Sequence, residues 1–301
     1  MNNLILLVAC LLIGMALRAA RRMPESAPAA LNSFIIHISL PALALLYIHE
    51  VRLDASLAYA AAMAWVLFGL SLAFFWAVGR ALGLSRATTG ALMLTGGLGN
   101  TSFIGLPMIE TFYGKEGLAI GIVADQAGSF LVLSTLGIVV AGLYSSGAPA
   151  WRDILKKIVL FPPFIALLAA LLLIPVDFPP WLSVVLQRLG DTLAPLALVS
   201  VGFQLRFGHL RGNGRNLALG LGFKLLLAPL LIALLFAGLF GAKGYIAQVT
   251  LFEAAMPPMI TGAIVAAEHE LDPPLVAAMV GVGILLSFLT LSGWWWMLRG
   301  I

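Results

Sequence analysis

Two short runs of glycine, proline and small polar residues each interrupt a long apolar segment of the chain. The first is Gly96–Ser102 and the second is Glu253–Pro258. Glycine and proline do not sustain a regular helical ladder, so backbone N–H and C=O groups are expected to come free there. Because lipid cannot satisfy such groups, we expect both runs to be buried in protein or to line a cavity.

The side chains that follow the first break suit the binding of an anion. Asn100, Thr101 and Ser102 are residue types that cap helix N-termini, so a half-helix is expected to restart just after Gly99. The start of a helix carries N–H donors and a partial positive charge, which together can hold a carboxylate.

The second break is expected to mirror the first. Pro257 should stop one half-helix, and Pro258 suits the first turn of the next, where its missing N–H costs nothing. The two half-helix starts would then face each other near the middle of the membrane. The alternative is a pair of kinked but closed helices, in which the glycines serve only helix packing.

Two carboxyl groups lie deep in apolar segments. Asp125 and Glu253 are each expected roughly 12 Å into a hydrocarbon core about 30 Å thick. Charge at such depth is expensive and usually functional. Either group could carry a proton or help to coordinate sodium. The alternative for each is a carboxyl that is hydrogen-bonded to a helix break for structural reasons alone.

Four other features have simpler explanations. Lys224 could attract an anion or pair with a carboxylate, but we expect its side chain to snorkel to the inner surface. His37 is interpreted as a hydrogen-bonded packing residue, and Trp294–Trp296 as part of an interfacial aromatic belt. The lipoprotein-like run that ends at Cys10 is interpreted as the first membrane helix, because no basic segment precedes it.

The composition is that of a polytopic membrane protein. Of 301 residues 61% are hydrophobic and only 10% are charged, with a mean hydropathy of +1.06, whereas soluble domains carry about 25% charged residues. The single cysteine excludes an internal disulfide. The sequence contains no zinc-ligand spacing, phosphate-binding loop or nucleophile elbow, so we expect no enzyme activity, no cofactor, no tightly bound metal and no nucleic-acid partner.

The apolar segments predict an all-α membrane protein with ten spans, each about 20 residues or longer. Their predicted ranges are 2–18, 31–49, 55–79, 88–112, 117–143, 154–174, 182–205, 215–240, 245–267 and 274–298. Most of the 17 Lys and Arg residues lie in alternate loops, so the positive-inside rule places both termini outside. The acidic loop Glu268–Asp272 then lies inside, as an exception.

The spans form two halves with matching features. Pro41 in the second span and Pro195 in the seventh have similar apolar neighbours, and each precedes a break at a similar distance. Five spans, a short cytoplasmic linker and five more spans predict a 5+5 inverted repeat with broken helices four and nine, a design of secondary carriers. The predicted parts are 1–143, the linker 144–153, and 154–301; coincidence is the alternative.

Several runs of this sequence resemble the auxin efflux carrier family. They are Asn100–Pro107, Tyr113–Gly114, Pro195–Gly202, Ala254–Pro257 and Glu268–Asp272. The resemblance covers essentially the whole chain. The family includes plant auxin exporters and bacterial carriers for malonate, malate and similar acids, and this chain resembles a compact bacterial member because its central loop is short.

The resemblance implies a fold with crossed broken helices, as in NhaA-type antiporters and bile-acid symporters. It implies a scaffold of spans 1, 2, 6 and 7, through which members form homodimers, and a moving transport unit of spans 3–5 and 8–10. It also implies that the substrate carboxylate binds near Asn100. Together, the resemblance and the two breaks predict the substrate-binding residues Gly99, Asn100, Thr101, Ser102, Leu40, Pro41, Ala44, Gln126, Pro257, Pro258, Ile260 and Thr261.

This sequence departs from the plant exporters at three positions. Gly99 replaces a proline, and both Pro258 and Glu253 replace glutamines. The three departures argue against auxin as the substrate, and the added carboxyl favours proton or sodium symport through Glu253, with or without Asp125. We therefore expect an elevator-type carrier of small organic anions in the cytoplasmic membrane. The rival hypotheses are a bile-acid-type sodium symporter and, more distantly, a membrane-embedded enzyme or a sensor.

Overall fold

Helices make up the regular secondary structure of the part of the chain that the structure describes. A computed structural model describes residues 2–49, 56–145, 159–204 and 214–301. Within these ranges no strand is formed, and the β-type contact is an isolated bridge between two single residues. The sequence-based expectation of an all-helical membrane protein is therefore confirmed.

The helices of the described residues are numbered α1 to α12 in chain order. They are α1 Asn2–Ala19, α2 Ala27–Ile48, α3 Leu57–Leu82, α4 Arg86–Gly97, α5 Leu106–Tyr113, α6 Lys115–Tyr144, α7 Pro162–Leu173, α8 Pro180–Gln204, α9 Gly214–Leu239, α10 Gly244–Ala254, α11 Ile260–Glu268 and α12 Pro273–Leu298.

Six of these helices, α2, α3, α6, α8, α9 and α12, are long and apolar enough to cross a membrane. The chain is therefore a multi-pass membrane protein. Helices α1 and α7 are apolar but shorter, and the pairs α4/α5 and α10/α11 are the two interrupted segments. Of the predicted sixth span, 154–174, residues 154–158 lie outside the described residues, and α7 covers Pro162–Leu173. Most of the predicted linker 144–153 lies outside the described residues.

The chain divides into two compact units, which we call unit 1 and unit 2. Unit 1 comprises Met1–Asp54, Ser102–Ile122 and Ile158–Leu205, and unit 2 comprises Ala55–Thr101, Val123–Lys157 and Arg206–Ile301. In unit 1, helix α1 packs closely against α8. Gly14 and Gly202 permit this approach, because a Cβ on either would overlap the backbone of the facing helix.

In unit 2, helix α3 packs against α4 through aromatic side chains that fill the space beside glycines. A Cβ on Gly96 would clash with the ring of Phe75, and Phe75 in turn packs edge-on against Phe223 with ring centroids 4.9 Å apart. A Cβ on Gly97 would lie 2.7 Å from a ring carbon of Phe68. Both glycines therefore serve close packing between helices.

The acidic loop before α12 has a structural function at one of its residues. Asp272 caps α12 by accepting a hydrogen bond from the Leu275 N–H at 3.3 Å, and it accepts a second from the Thr88 hydroxyl at 2.8 Å. A carboxylate at a helix start is stabilised by the helix dipole. This capping explains an acidic residue in a loop that the charge rule places on the basic side.

Candidate functional site

The first interruption separates α4 from α5. Helix α4 continues through Gly96 and Gly97, and Leu98 has extended backbone with φ −108° and ψ 124°. A π-helical turn, Thr101–Gly105, then leads into α5. The prediction of a break is confirmed, but it begins at Leu98 and not at Gly96, because both glycines are retained in the helix for packing.

The second interruption separates α10 from α11. Helix α10 ends at Ala254, and α11 begins at Ile260. The expectation that Pro258 lies in the first turn of the second half-helix is wrong. Pro258 belongs to the extended segment, in which its missing N–H leaves no donor unsatisfied.

The two interruptions pair with each other through their backbones. The Asn100 N–H donates to the Pro257 carbonyl at 2.8 Å, and the Met259 N–H donates to the Leu98 carbonyl at 3.0 Å. Between these bonds Gly99 and Pro258 form an antiparallel bridge. Buried backbone groups must find partners, and at these positions each broken segment satisfies the other.

Three ionisable side chains of unit 2 lie buried around this backbone pair, and we call Asp125, Lys224 and Glu253 the buried charge cluster. Asp125 is 3% exposed, and Lys224 and Glu253 are both 0% exposed. One Asp125 oxygen accepts from the Thr101 hydroxyl at 2.5 Å, and the other accepts from the Gln126 amide at 2.5 Å. Donors on both oxygens stabilise an ionised carboxylate.

Lys224 does not snorkel, so that prediction is wrong. Its Nζ donates to the Ala254 carbonyl at 3.3 Å, which is one of the carbonyls at the end of α10. A Cβ built on Gly99 would stand 3.3 Å from the same Nζ. The ammonium therefore lies beside both interruptions, where a helix C-terminus attracts a cation.

Glu253 completes the cluster from the last turn of α10. Its carboxyl interacts electrostatically with both Asp125 and Lys224. Neither Glu253 oxygen has a hydrogen-bond partner among the residues that the structure describes, and the same is true of the buried Thr250 hydroxyl one turn earlier. A buried carboxyl without donors is costly, so a structural role as a hydrogen-bonded anchor is not supported for Glu253.

Two members of the cluster lie in π-helical segments, which were not predicted from the sequence. Asp125 lies in Ala124–Phe130, and Lys224 lies in Phe223–Leu227. Such segments occur frequently at functional sites. One feature of the sequence does indicate an irregular helix near Lys224. Pro229 has no N–H to donate to the Leu225 carbonyl, four residues earlier. Trp294 of α12 donates to this carbonyl instead, at 2.8 Å.

The remaining predicted site residues lie in two different units. Ile260 and Thr261 are in unit 2, at the start of α11, where Ile260 is buried and Thr261 is exposed. Four further residues belong to unit 1, and three of them are buried, while Pro41 is half-buried; they are Ser102, Leu40, Pro41 and Ala44. Their roles remain predictions.

Unit 1 contains a second group of one lysine and two carboxyls, Glu110, Lys115 and Asp191, which we call the surface charge cluster. Lys115 Nζ lies 3.0 Å from an Asp191 oxygen and 4.0 Å from a Glu110 oxygen. Outside both clusters, His37 is exposed, and its ring contacts the Ser33 carbonyl of the preceding turn at 2.9 Å. Across the described ranges, no three His, Cys, Asp or Glu side chains are grouped to hold a metal.

Comparison with known proteins finds similarity along nearly the whole chain. A family described as "Membrane transport protein" matches residues 1–147 and 150–295. An uncharacterized transporter of Methanothermobacter thermautotrophicus is 28% identical over 288 residues, which cover 94% of this chain and 93% of that protein. An uncharacterized transporter of Methanocaldococcus jannaschii is 26% identical over 99% of this chain and 98% of its own length.

Proposed function

Since the chain belongs to the membrane transport protein family, and is therefore a transporter and not an enzyme, we propose that it is a secondary carrier of small organic anions. The observation that carries the proposal is the buried pairing of two interrupted helices at Gly99 and Pro258. A folded membrane protein maintains broken helices and buried charges at depth when they bind a substrate or an ion.

A carboxylate is the substrate group that these surroundings suit best. Asn100 and Thr101 lie directly at the start of the π-helical turn after the first break, where N–H groups point toward the helix end. Lys224 adds a cationic group within reach of the same backbone. In the proposal, Asn100 and this helix start hold the carboxylate, and Glu253, with Asp125, couples its transport to protons or sodium.

The finer architecture that we propose is ten spans in a 5+5 inverted repeat with crossed broken helices. The order of helices supports it. In each half, three apolar helices precede an interrupted pair, α4/α5 or α10/α11, and one long helix follows. The backbone pairing of the two interruptions supports the crossing.

The proposed mechanism is an elevator-type movement of a transport unit against a dimeric scaffold. The division of the chain supports it, since α3, α9 and α12 group together in unit 2 while α1, α2, α7 and α8 group in unit 1. Asn100 is 1% exposed, so a substrate reaches it only after a conformational change. We further propose the cytoplasmic membrane as location, with both termini outside.

A thermal-shift screen tests the substrate class and the position of the site. The full-length protein in detergent is heated with acetate, malonate, malate and longer mono- and dicarboxylates, each at two pH values, with and without sodium. We expect at least one acid to raise the midpoint of unfolding (Tm) of the wild type by several degrees, roughly the shift that saturating ligand produces.

Two variants locate the binding site. Asn100→Ala should lose this shift, whereas Asn32→Ala, which removes an asparagine bonded to Ser200 in unit 1, should keep it. Normal carboxylate binding by Asn100→Ala would mean that the site is misplaced. A response to bulky sterol acids and sodium, with none to small acids, would instead support a bile-acid-type symporter.

A further inference from the structure

Lys224 enters the proposed function only as a cationic group near the site, although it is fully buried at the second interruption. Its π-helical segment, Phe223–Leu227, directs a fully buried amine onto the Ala254 carbonyl at 3.3 Å. That carbonyl is released at the end of α10, where the helix is interrupted. Free carbonyls at an interrupted helix, together with a nearby carboxyl, are the ligands that a coupling sodium ion uses in carriers with broken helices.

The charges around the ammonium can be counted from the described contacts. Asp125 accepts hydrogen bonds on both oxygens, which favours its anionic form, while Glu253 accepts none from the described residues. One ammonium and one carboxylate give the cluster a net charge of zero, and Glu253, which interacts electrostatically with both, is left as the group that can exchange a proton. A net charge in this dry environment would be strongly unfavourable.

Among the described residues, the other helices packed against α10 add no further Asp, Glu, Lys or His to this balance. Helix α3 carries one charged residue, Arg80, close to its exposed end, and α12 contains no Asp, Glu, Lys, Arg or His. The segment Ala228–Ala233 of α9, which also contacts α10, is apolar throughout. The charged groups that act on Glu253 are thus Asp125 of α6 and Lys224 of α9.

We infer that the Lys224 ammonium is a built-in cation that occupies the place of a coupling sodium ion at the second interruption. The inference rests on the proposed carrier function, and it specifies the coupling partner of the same site. The ammonium already bonds to the released carbonyl, and it supplies the positive charge of the cluster beside Glu253. The carrier then binds its carboxylate without sodium, and protons are left as the coupling ion through Glu253.

Sodium-dependent stability tests the inference without any knowledge of the substrate. Tm is measured for the full-length wild type in sodium chloride and in N-methylglucamine chloride of equal ionic strength. The wild type is expected to unfold at the same Tm in both. In Lys224→Gln the place of the ammonium is vacant, so sodium should raise Tm by roughly 3 °C or more, and potassium should not.

A matched control makes the same substitution on an exposed lysine of unit 2, Lys243→Gln, which should respond to sodium no more than the wild type. Specific stabilisation of the wild type by sodium would overturn the inference, and so would a Lys224→Gln protein that remains indifferent to sodium. If Lys224→Gln does not fold, Lys224→Arg retains the charge, and both it and the wild type must then be insensitive to sodium.

A binding measurement distinguishes the failure of this inference from the failure of the proposed function. It uses the carboxylate that gives the largest shift of Tm in the screen. Its binding to the wild type should be equally tight, within about twofold, in sodium and in N-methylglucamine. Binding that requires sodium overturns the role of Lys224 but leaves the carrier intact. If no carboxylate binds in either salt, the proposed substrate class fails, while the sodium response of Tm still decides what Lys224 does.

Discussion

The buried and the surface charge clusters contain the same groups, one lysine and two carboxyls, in very different surroundings. In the surface cluster the Lys115 and Asp191 side chains are 47% and 51% exposed, and they form an ion pair at 3.0 Å. In the buried cluster Lys224 and Glu253 are fully buried. There the ammonium bonds to a backbone carbonyl, and the Glu253 oxygens have no hydrogen-bond partner among the described residues.

The difference shows what each cluster can contribute. An exposed ion pair requires little desolvation, and it stabilises a protein by about 0–1 kcal/mol. A buried set of charges incurs several kcal/mol of desolvation per ion, and hydrophobic residues of similar volume would often be as stable or more so. The surface cluster can therefore be explained by local pairing alone, whereas the buried cluster is better explained by a function that needs charge at depth.

The largest contrast is expected when one carboxyl of each cluster is neutralised. Glu253→Gln should abolish the dependence of transport on the proton gradient, because the exchangeable proton is lost. One proton moved across one pH unit supplies about 1.4 kcal/mol, or tenfold in accumulation. Proteoliposomes loaded with the acid from the screen should show this tenfold change for the wild type and none for the variant.

The matching substitution in the surface cluster is Glu110→Gln, which should leave the response to pH within about twofold of the wild type. If Glu253→Gln responds to the proton gradient as the wild type does, the contrast between the clusters disappears, and Glu253 has no coupling role.

An intermediate effect is expected from the hydroxyl that donates to Asp125. Thr101→Val removes that donor while keeping the shape of the side chain, so the buried carboxylate should lose about 1–3 kcal/mol of stabilisation. Thr111→Val is the control, because its hydroxyl bonds only to a carbonyl of its own helix, that of Pro107. Unfolding in mixed micelles should separate the two, and equal destabilisation would argue against an ionised Asp125.

The smallest effect is expected from a methyl group placed against Lys224. Gly99→Ala would bring a Cβ to 3.3 Å from Nζ and to 3.7 Å from the Glu253 carbonyl, so the ammonium must shift slightly, at a cost of about 1 kcal/mol. Gly69→Ala meets nothing within 4 Å and should be neutral or stabilising by up to about 1 kcal/mol. A stabilised Gly99→Ala protein would mean that the ammonium is not held in place.

Much of the fold could be predicted from the sequence because its main signals are local. Six predicted spans correspond to long apolar helices, and both interruptions lie where glycine and proline cluster. The details within the interruptions could not be predicted. Gly97 stays in its helix because the ring of Phe68 needs the space, and Pro258 is extended because it pairs with Gly99.

The candidate site was predictable only in part. The sequence indicated that Asp125, Lys224 and Glu253 lie deep, but depth does not tell which way a side chain faces. Helices that are apolar all round show no polar stripe to reveal their orientation, so Lys224 was expected to reach the inner surface. The hydrogen bond between Thr101 and Asp125 could not be predicted either, because the direction of each side chain depends on a π-helical segment.

The sequence by itself determined that the chain crosses a membrane, where its helices are broken and which charged residues lie at depth. Those properties depend on apolar length, missing N–H donors and residue position, all of which are local. Only the tertiary structure decided that the two breaks bond to each other and that an ammonium lies between them. Such contacts join segments far apart in the chain, and they are selected by the packing and by the need of each buried polar group for a partner.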